Sequence, residues 1–364
     1  MTSPLVKLVE EKKILICCGS GGVGKTTTAA AIALEAARRG KKTIVLTIDP
    51  ARRLASAMGL DTLSDEPQKI PLQGGFLDAM MLDTKRTFDA LIEKYSPSRS
   101  VREAILANRL YQHLSSMLAG SQEYMAMEKL YEIAQKDYDL IVLDTPPTRH
   151  ALDFLEGPEK MVNIVNNSLL KWFLKPSLFM AGGGFKLLRR GGEKILSVFD
   201  KLAGFSFLHE LSEMLVSIAG LLGGFQNRAS AVYDLLRDKS VGFLLVTSPE
   251  TIPIQDALYF FKEIRRFKLP FCGFIVNRVH TSFLGVHGSV PEKEIPDRLR
   301  EPLLQNLEEM ELLAERDHEN LSLLEEVPGK NNFCLQVPQF TADIHDLKGL
   351  GAMAGYLFSE ESAR

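Results

Sequence analysis

Cysteine is scarce in this chain: four residues, at positions 17, 18, 272 and 334, in a length of 364. So few thiols exclude a disulfide scaffold. No two of them stand in a C-x-x-C spacing, so the usual zinc clip is missing too. Long hydrophobic runs are also missing. The longest uncharged stretch, Met214–Asn227, falls short of the roughly 18 residues that suggest a spanning helix. There is no marked excess of either charge. With 43 basic and 46 acidic side chains the net charge is −3, which gives no bulk positive field for nucleic acid. Met1–Lys13 mixes charged and apolar residues and lacks the basic-then-apolar order of a secretory leader. The expectation is a cytoplasmic protein with reduced thiols and no nucleic-acid partner.

What is present is ordinary in bulk. Hydrophobic residues make up 45% and charged residues 24%, enough for a large core and against global disorder. Continuous apolar runs read as buried strands: Lys12–Cys18, Thr43–Ile48, Leu77–Leu82, Tyr138–Leu143, Val241–Thr247, Phe271–Val276 and Asn332–Val337. Thr26–Arg39 is rich in Ala and Leu and stops at Gly40, which reads as a helix. Asp83–Lys136 reads as helices broken near Ser96-Pro97 and Gly120. Buried strands alternating with helices predict an α/β fold: a mostly parallel sheet covered by helices on both faces. The expected core is 1–160 with 228–364, including a helical segment at about 83–136. An apolar helical insertion, 161–227, interrupts it.

Gly19-Ser20-Gly21-Gly22-Val23-Gly24-Lys25-Thr26 matches G-x-x-x-x-G-K-[ST]. Glycines allow backbone N–H groups to turn inward around phosphate oxygens. Lys25 has the reach for the β- and γ-phosphates, Thr26 can ligate Mg²⁺, and the following helix points its positive end at the anion. Asp144 closes a strand, where P-loop enzymes hold Mg²⁺ through water; capping a following helix is the other use of an Asp there. Asp49 closes the second strand, ahead of Pro50. It suits either orienting the attacking water or capping a helix begun by that proline, and the two roles are compatible.

The set GSGGVGKTTTAA, TIDPARRL, DTPPTRHALDFL and FIVNRV resembles the ArsA-type ATPase family. That family holds the arsenite-pump ATPase subunit and the ATPase that delivers tail-anchored membrane proteins, and its members work as nucleotide-sandwich dimers. The resemblance runs over nearly the whole chain and implies a P-loop ATPase using ATP and Mg²⁺. It implies that Gly21, Gly22, Val23, Gly24, Lys25, Thr26 and Thr27 form the phosphate loop. Asp49 becomes the water-activating residue. Asp144, Thr145, Pro147 and Thr148 become the second switch, with Thr26 and Asp144 serving the metal. Asn277 becomes the adenine reader, and Val337-Pro338, ahead of Asp343-Ile344, the loop over the base. No N-K-x-D is present to favour GTP.

The chain departs from the family in three ways. Ser20 stands where the family carries a lysine that crosses to the partner's nucleotide. Arg52, Arg53 and Arg149 flank the switches as candidate replacements, or as solvated surface charge. The zinc C-x-x-C of the targeting branch is absent, and the four cysteines fall in strands, where buried, inert thiols are expected instead of an arsenite site. One glycine loop means that a sandwich requires a homodimer.

Residues 161–227 carry seven basic and four acidic side chains, a net charge of +3 within a chain of −3. Leu208, Leu211, Leu215, Ile218 and Leu222 repeat at helical spacing, and Phe199 and Leu202 belong to a shorter stripe. Two readings stay open: a groove for a hydrophobic client, as the targeting branch implies, or ordinary helix packing. Contact with a membrane surface is a third. The expected function is an ATP-driven chaperone or targeting factor for hydrophobic protein segments, cytoplasmic or peripheral at a membrane. The alternative is the energising subunit of an anion or metalloid transporter. A partition-type ATPase would want a basic DNA-binding face or C-terminal helix, whereas Ser359–Ser362 is acidic.

Overall fold

The computed structural model describes residues 3–49, 53–114, 121–146, 222–282, 296–325, 327 and 332–359. In chain order these form α1 (Pro4–Glu11), β1 (Ile14–Cys18), α2 (Lys25–Arg38), β2 (Lys42–Thr47), α3 (Arg53–Ala57), β3 (Gln68–Lys69) and β4 (Phe76–Met81). Next come α4 (Thr84–Tyr95), α5 (Arg99–Ala107), α6 (Arg109–Leu114), α7 (Ser121–Ala134) and β5 (Leu140–Asp144). The chain continues with α8 (Leu222–Arg237), β6 (Val241–Thr247), α9 (Thr251–Arg266), β7 (Phe271–Val279), α10 (Asp297–Glu325), β8 (Phe333–Pro338) and α11 (Leu347–Leu357).

The eight strands form one sheet in the order β3-β4-β2-β5-β1-β6-β7-β8, parallel except for the short antiparallel pair β3–β4. Every residue of β1, β5 and β6 is buried, as two helix-covered faces require. Six alanines of α2 are buried (Ala29, Ala30, Ala31, Ala33, Ala36 and Ala37), and these small side chains let α2 lie deep in the core with Leu350, Met353 and Leu357 of α11. Leu5, Leu8 and Val9 of α1 join the same core. The N-terminal segment is thus an amphipathic helix begun by Pro4, its entry tied by the Ser3 hydroxyl donating to the Leu357 carbonyl at 2.7 Å. Tyr138, expected inside a strand, precedes β5, and its hydroxyl donates to Asp78 Oδ2 at 2.6 Å.

The chain divides into two compact units. One carries the sheet and its flanking helices. The other contains Asp83–Tyr131 and, among the described residues after the gap, those from Leu222 to Leu235. Side chains cap the helices of this second unit: Asp83 accepts from the Arg86 amide at 2.9 Å and Ser98 from the Val101 amide at 3.3 Å. Its core gathers Phe88, Leu91, Ile92, Ile105, Tyr111, Met125 and Ala229. Beside that core Arg228 Nε donates to the buried Glu128 carboxylate at 2.8 Å while its guanidinium lies 3.7 Å from the Tyr131 ring centroid. No described helix is long and apolar enough to cross a membrane.

One sequence expectation needs correcting. Cys17, Cys18 and Cys272 are buried, but Cys334 is only half-buried. The reason is topological: β8 is an edge strand, so its side chains are covered less completely than those of β1.

Candidate nucleotide site

Strand register assembles the site. Cys17 of β1 lies opposite Asp144 of β5, and Asp144 opposite Thr47 of β2, so three parallel strands end at one level. The loop leaving β1 turns there into α2. Gly19 has φ +155°, and a Cβ on it would run into the Val246 carbonyl oxygen. Gly24 has φ +93°, and a Cβ on it would collide with the Asn277 amide. Both positions need glycine on steric grounds alone. Gly21 and Gly22 face solvent, Val23 is buried, and Thr27 is half-buried.

Lys25 is 7% exposed, and its ammonium donates to the Ser20 carbonyl at 2.7 Å. Burial lowers its pKa below the ordinary value, while Asp144, Cys18 and Asp49 pull it partly back. Asp144 is fully buried. Its Oδ2 accepts from the hydroxyls of Thr26 at 2.7 Å and Thr47 at 2.9 Å. Its Oδ1 is buried with no hydrogen-bond partner. An orphan carboxylate oxygen is costly. Together with a loop hydroxyl it supplies the hard oxygen donors that Mg²⁺ prefers, so these residues fit the ion.

Burial pushes the Asp144 carboxyl up to about 6 from its ordinary 3.8, against the lowering pull of Thr26, Thr47 and Lys25. The folded, nucleotide-free protein therefore binds more protons than the unfolded chain between those two values. Stability from this group is fully present below the lower value and is lost as pH rises through the upper one. Asp144→Asn removes the titration. Denaturant melts of both proteins from pH 4 to 7.5 are expected to show the wild type losing about 2 kcal/mol relative to the variant over that range.

Asp49 follows β2 and is half-exposed. Its amide donates to the Thr47 hydroxyl at 3.2 Å, one link from Asp144, and the Ile48 amide donates to the Asp144 carbonyl at 3.1 Å. Thr145 is held by its hydroxyl donating to the Cys17 carbonyl at 2.9 Å. Asn277 is 7% exposed and donates through Nδ2 to the Val23 carbonyl at 3.0 Å, so in this structure its amide braces the phosphate loop. A strand irregularity follows at once, with Arg278 at φ +68°, and Pro338 lies across from Val279. Ser20 turns inward and donates to Asp256 Oδ2 at 2.6 Å, a partner that motif spacing did not suggest. Burial raises the thiols of Cys17, Cys18 and Cys272, Cys18 to about 12, so these three thiols stay protonated at neutral pH.

Arg53 is exposed at the start of α3, and its charge is felt at Lys25. Pro147, Thr148, Arg52 and Arg149 lie outside the described residues. So do the groove candidates Phe199, Leu202, Leu208, Leu211, Leu215 and Ile218, while Leu222 opens α8.

A glycine-rich loop between a buried parallel strand and a helix, beside a strand-end carboxylate, defines the P-loop nucleoside triphosphatase class. Within it, the chain belongs to the ArsA-type family, the anion-transporting ATPases, whose family model matches residues 12–282. The protein is accordingly an ATPase. It is similar to ATPase ASNA1 homolog 2 of Paramecium tetraurelia, 27% identical over 67% of this chain and 68% of that one. It is similar to ATPase GET3 of Phaeosphaeria nodorum, 25% identical over 68% of this chain and 71% of that one. A putative arsenical pump-driving ATPase of Halobacterium salinarum is 35% identical, over 41% of this chain and 24% of its own length.

Proposed function

We propose that this chain is a Mg²⁺-dependent ATPase whose hydrolysis cycle drives a conformational switch for handling hydrophobic protein segments. The observation that carries the nucleotide chemistry is the Thr26–Asp144–Thr47 cluster, with its unpaired Asp144 oxygen beside the loop that holds Lys25. Gly21–Thr27 receive the triphosphate. Lys25 leaves the Ser20 carbonyl for the β- and γ-phosphates. Thr26, and Asp144 through water, would hold Mg²⁺, which would supply positive charge to the phosphate oxygens. Asp49 orients the water that attacks the γ-phosphorus. Asp144 begins the second switch, Asp144–Thr148, which passes the loss of the γ-phosphate on to 161–227.

The hydrophobic client rests on two supports. The GET3 and ASNA1 relatives align over about two thirds of both chains, whereas the pump-type relative covers a smaller part. The sequence of 161–227 is apolar, glycine-interrupted and poor in charge. Two of the three buried thiols sit in the strand that feeds the phosphate loop, which counts against an arsenite site. A homodimer follows from the family resemblance, because this chain carries one glycine loop and a nucleotide sandwich needs two. The cytoplasm is the expected location.

The test is to measure the mass of the purified protein in solution with and without a non-hydrolysable ATP analogue, and to identify what co-purifies. A dimer with the analogue and bound apolar peptide segments is expected. A strict monomer in both states without apolar cargo overturns the reading. Stimulation of hydrolysis by an oxyanion, with a membrane partner, favours the transporter subunit instead.

A further inference from the structure

The phosphate loop is gripped at both ends by residues far away in sequence. At its end, Asn277 of β7 holds the Val23 carbonyl, 254 positions away. At its start, the Ser20 hydroxyl is bound to Asp256 of α9, 236 positions away. Ser20 also lends its carbonyl to the Lys25 ammonium. A carboxylate, a hydroxyl, a carbonyl and an ammonium are thereby linked in series, from α9 to the loop lysine.

We propose that Asp256 is a positioning residue for ATP binding. Acting through Ser20, it fixes the opening turn of the phosphate loop and the carbonyl on which Lys25 rests before nucleotide arrives. The inference rests on the reading of Gly21–Thr27 as the triphosphate site. Ser20 lies between Gly19 and Gly21, where backbone freedom is greatest and ordering the chain costs most entropy. A short O–H···O⁻ bond belongs to the strong, charge-assisted class. Its acceptor is set on a rigid base, because α9 buries Ile254, Ala257, Phe260 and Ile264 in the core. The loop is thus held close to its binding shape, which lowers the cost of receiving phosphate. The family resemblance expects at this position a lysine extended toward a partner. This chain has a short side chain turned back onto its own helix.

ADP titrations of the full chain test this. Ser20→Ala and Asp256→Ala are each expected to raise the ADP Kd about tenfold, the loss of one hydrogen bond to a charged group. The double variant is expected to be no worse than either single one, because both remove the same bond. Ser20→Thr keeps a donor and Asp256→Asn keeps an acceptor, so both should stay within about threefold of wild type. A merely structural role would lower the melting temperature of the alanine variants and leave the Kd unchanged, which overturns the proposal. So does additivity in the double variant, or an Asp256→Asn as weak as Asp256→Ala. If Asp256→Ala does not fold, Ser20→Ala against Ser20→Thr carries the same comparison and leaves α9 untouched. A wild-type chain that binds no ADP overturns the site reading along with the inference. Binding that ignores Ser20 and Asp256 overturns the inference alone.

Discussion

Lys25→Ala is expected to cut the ATP turnover number by about 10²–10³-fold, the range seen when one preorganised donor to developing charge is removed. In the nucleotide-free state Lys25 is nine-tenths covered, and its ammonium has a neutral carbonyl, that of Ser20, as its hydrogen-bond acceptor. Anionic phosphate oxygens offer charge-assisted bonds roughly twice as strong as those to neutral acceptors. The exchange draws Lys25 onto the triphosphate, where its charge counts most as negative charge shifts toward the leaving oxygen. Alanine leaves the α2 N-terminus and the loop amides in place, so weakened nucleotide binding should persist. Arginine should not rescue the defect, since a planar guanidinium does not substitute for a compact ammonium in a buried loop. Phosphate release at saturating ATP measures the effect. A Lys25→Ala turnover within threefold of wild type would remove Lys25 from the chemistry.

How much of this was legible in the sequence follows from where the information lies. Val241–Thr247 was readable residue for residue, because a strand covered on both faces is apolar throughout and bounded by polar turns. The phosphate loop was readable because steric demand writes glycine into the chain at positions 19 and 24. The two-residue strand Gln68–Lys69 carries no apolar pattern and could be found only as the partner of β4. Leu5, Leu8 and Val9 have helical spacing, but eight residues of helix acquire meaning only when the folded core that they join supplies a surface to cover.

The site divides in the same way. Residue types announced Lys25, Thr26 and Asp144, whereas strand order alone brings Thr47 to Asp144, since nothing in a sequence gives the register of β2 against β5. Asn277 was placed by resemblance as a reader of the base, and its amide is seen bracing Val23, a contact spanning 254 positions. The Ser20–Asp256 bond was invisible for the same reason. A missing lysine can be seen in a sequence; what its replacement binds to cannot.

Asp49→Asn is expected to lower turnover by about 10²–10⁴-fold, the span associated with a positioned general base, while changing the ATP Kd less than about threefold. The two roles open to Asp49 separate cleanly under this substitution. Asn and Asp are nearly equivalent as helix N-caps, so if Asp49 served only to start the segment after Pro50, the variant would hydrolyse ATP normally. As an isostere, asparagine also keeps the amide link to Thr47 and leaves the register of Asp144 undisturbed. What it loses is the negative charge and the capacity to take a proton from water. Asp49 is near enough to Lys25 and Asp144 to perturb the pKa of both, so its charge lies within the site's own electrostatic field. Loss of that charge should leave Mg²⁺-ATP bound and unhydrolysed, and the variant should accumulate in its ATP-bound form. Rapid-quench turnover alongside ATP titration separates the outcomes. Lost hydrolysis with intact binding assigns Asp49 to the water. Intact hydrolysis in Asp49→Asn, set against its loss in Lys25→Ala, would return Asp49 to capping alone and require another base beside the γ-phosphate.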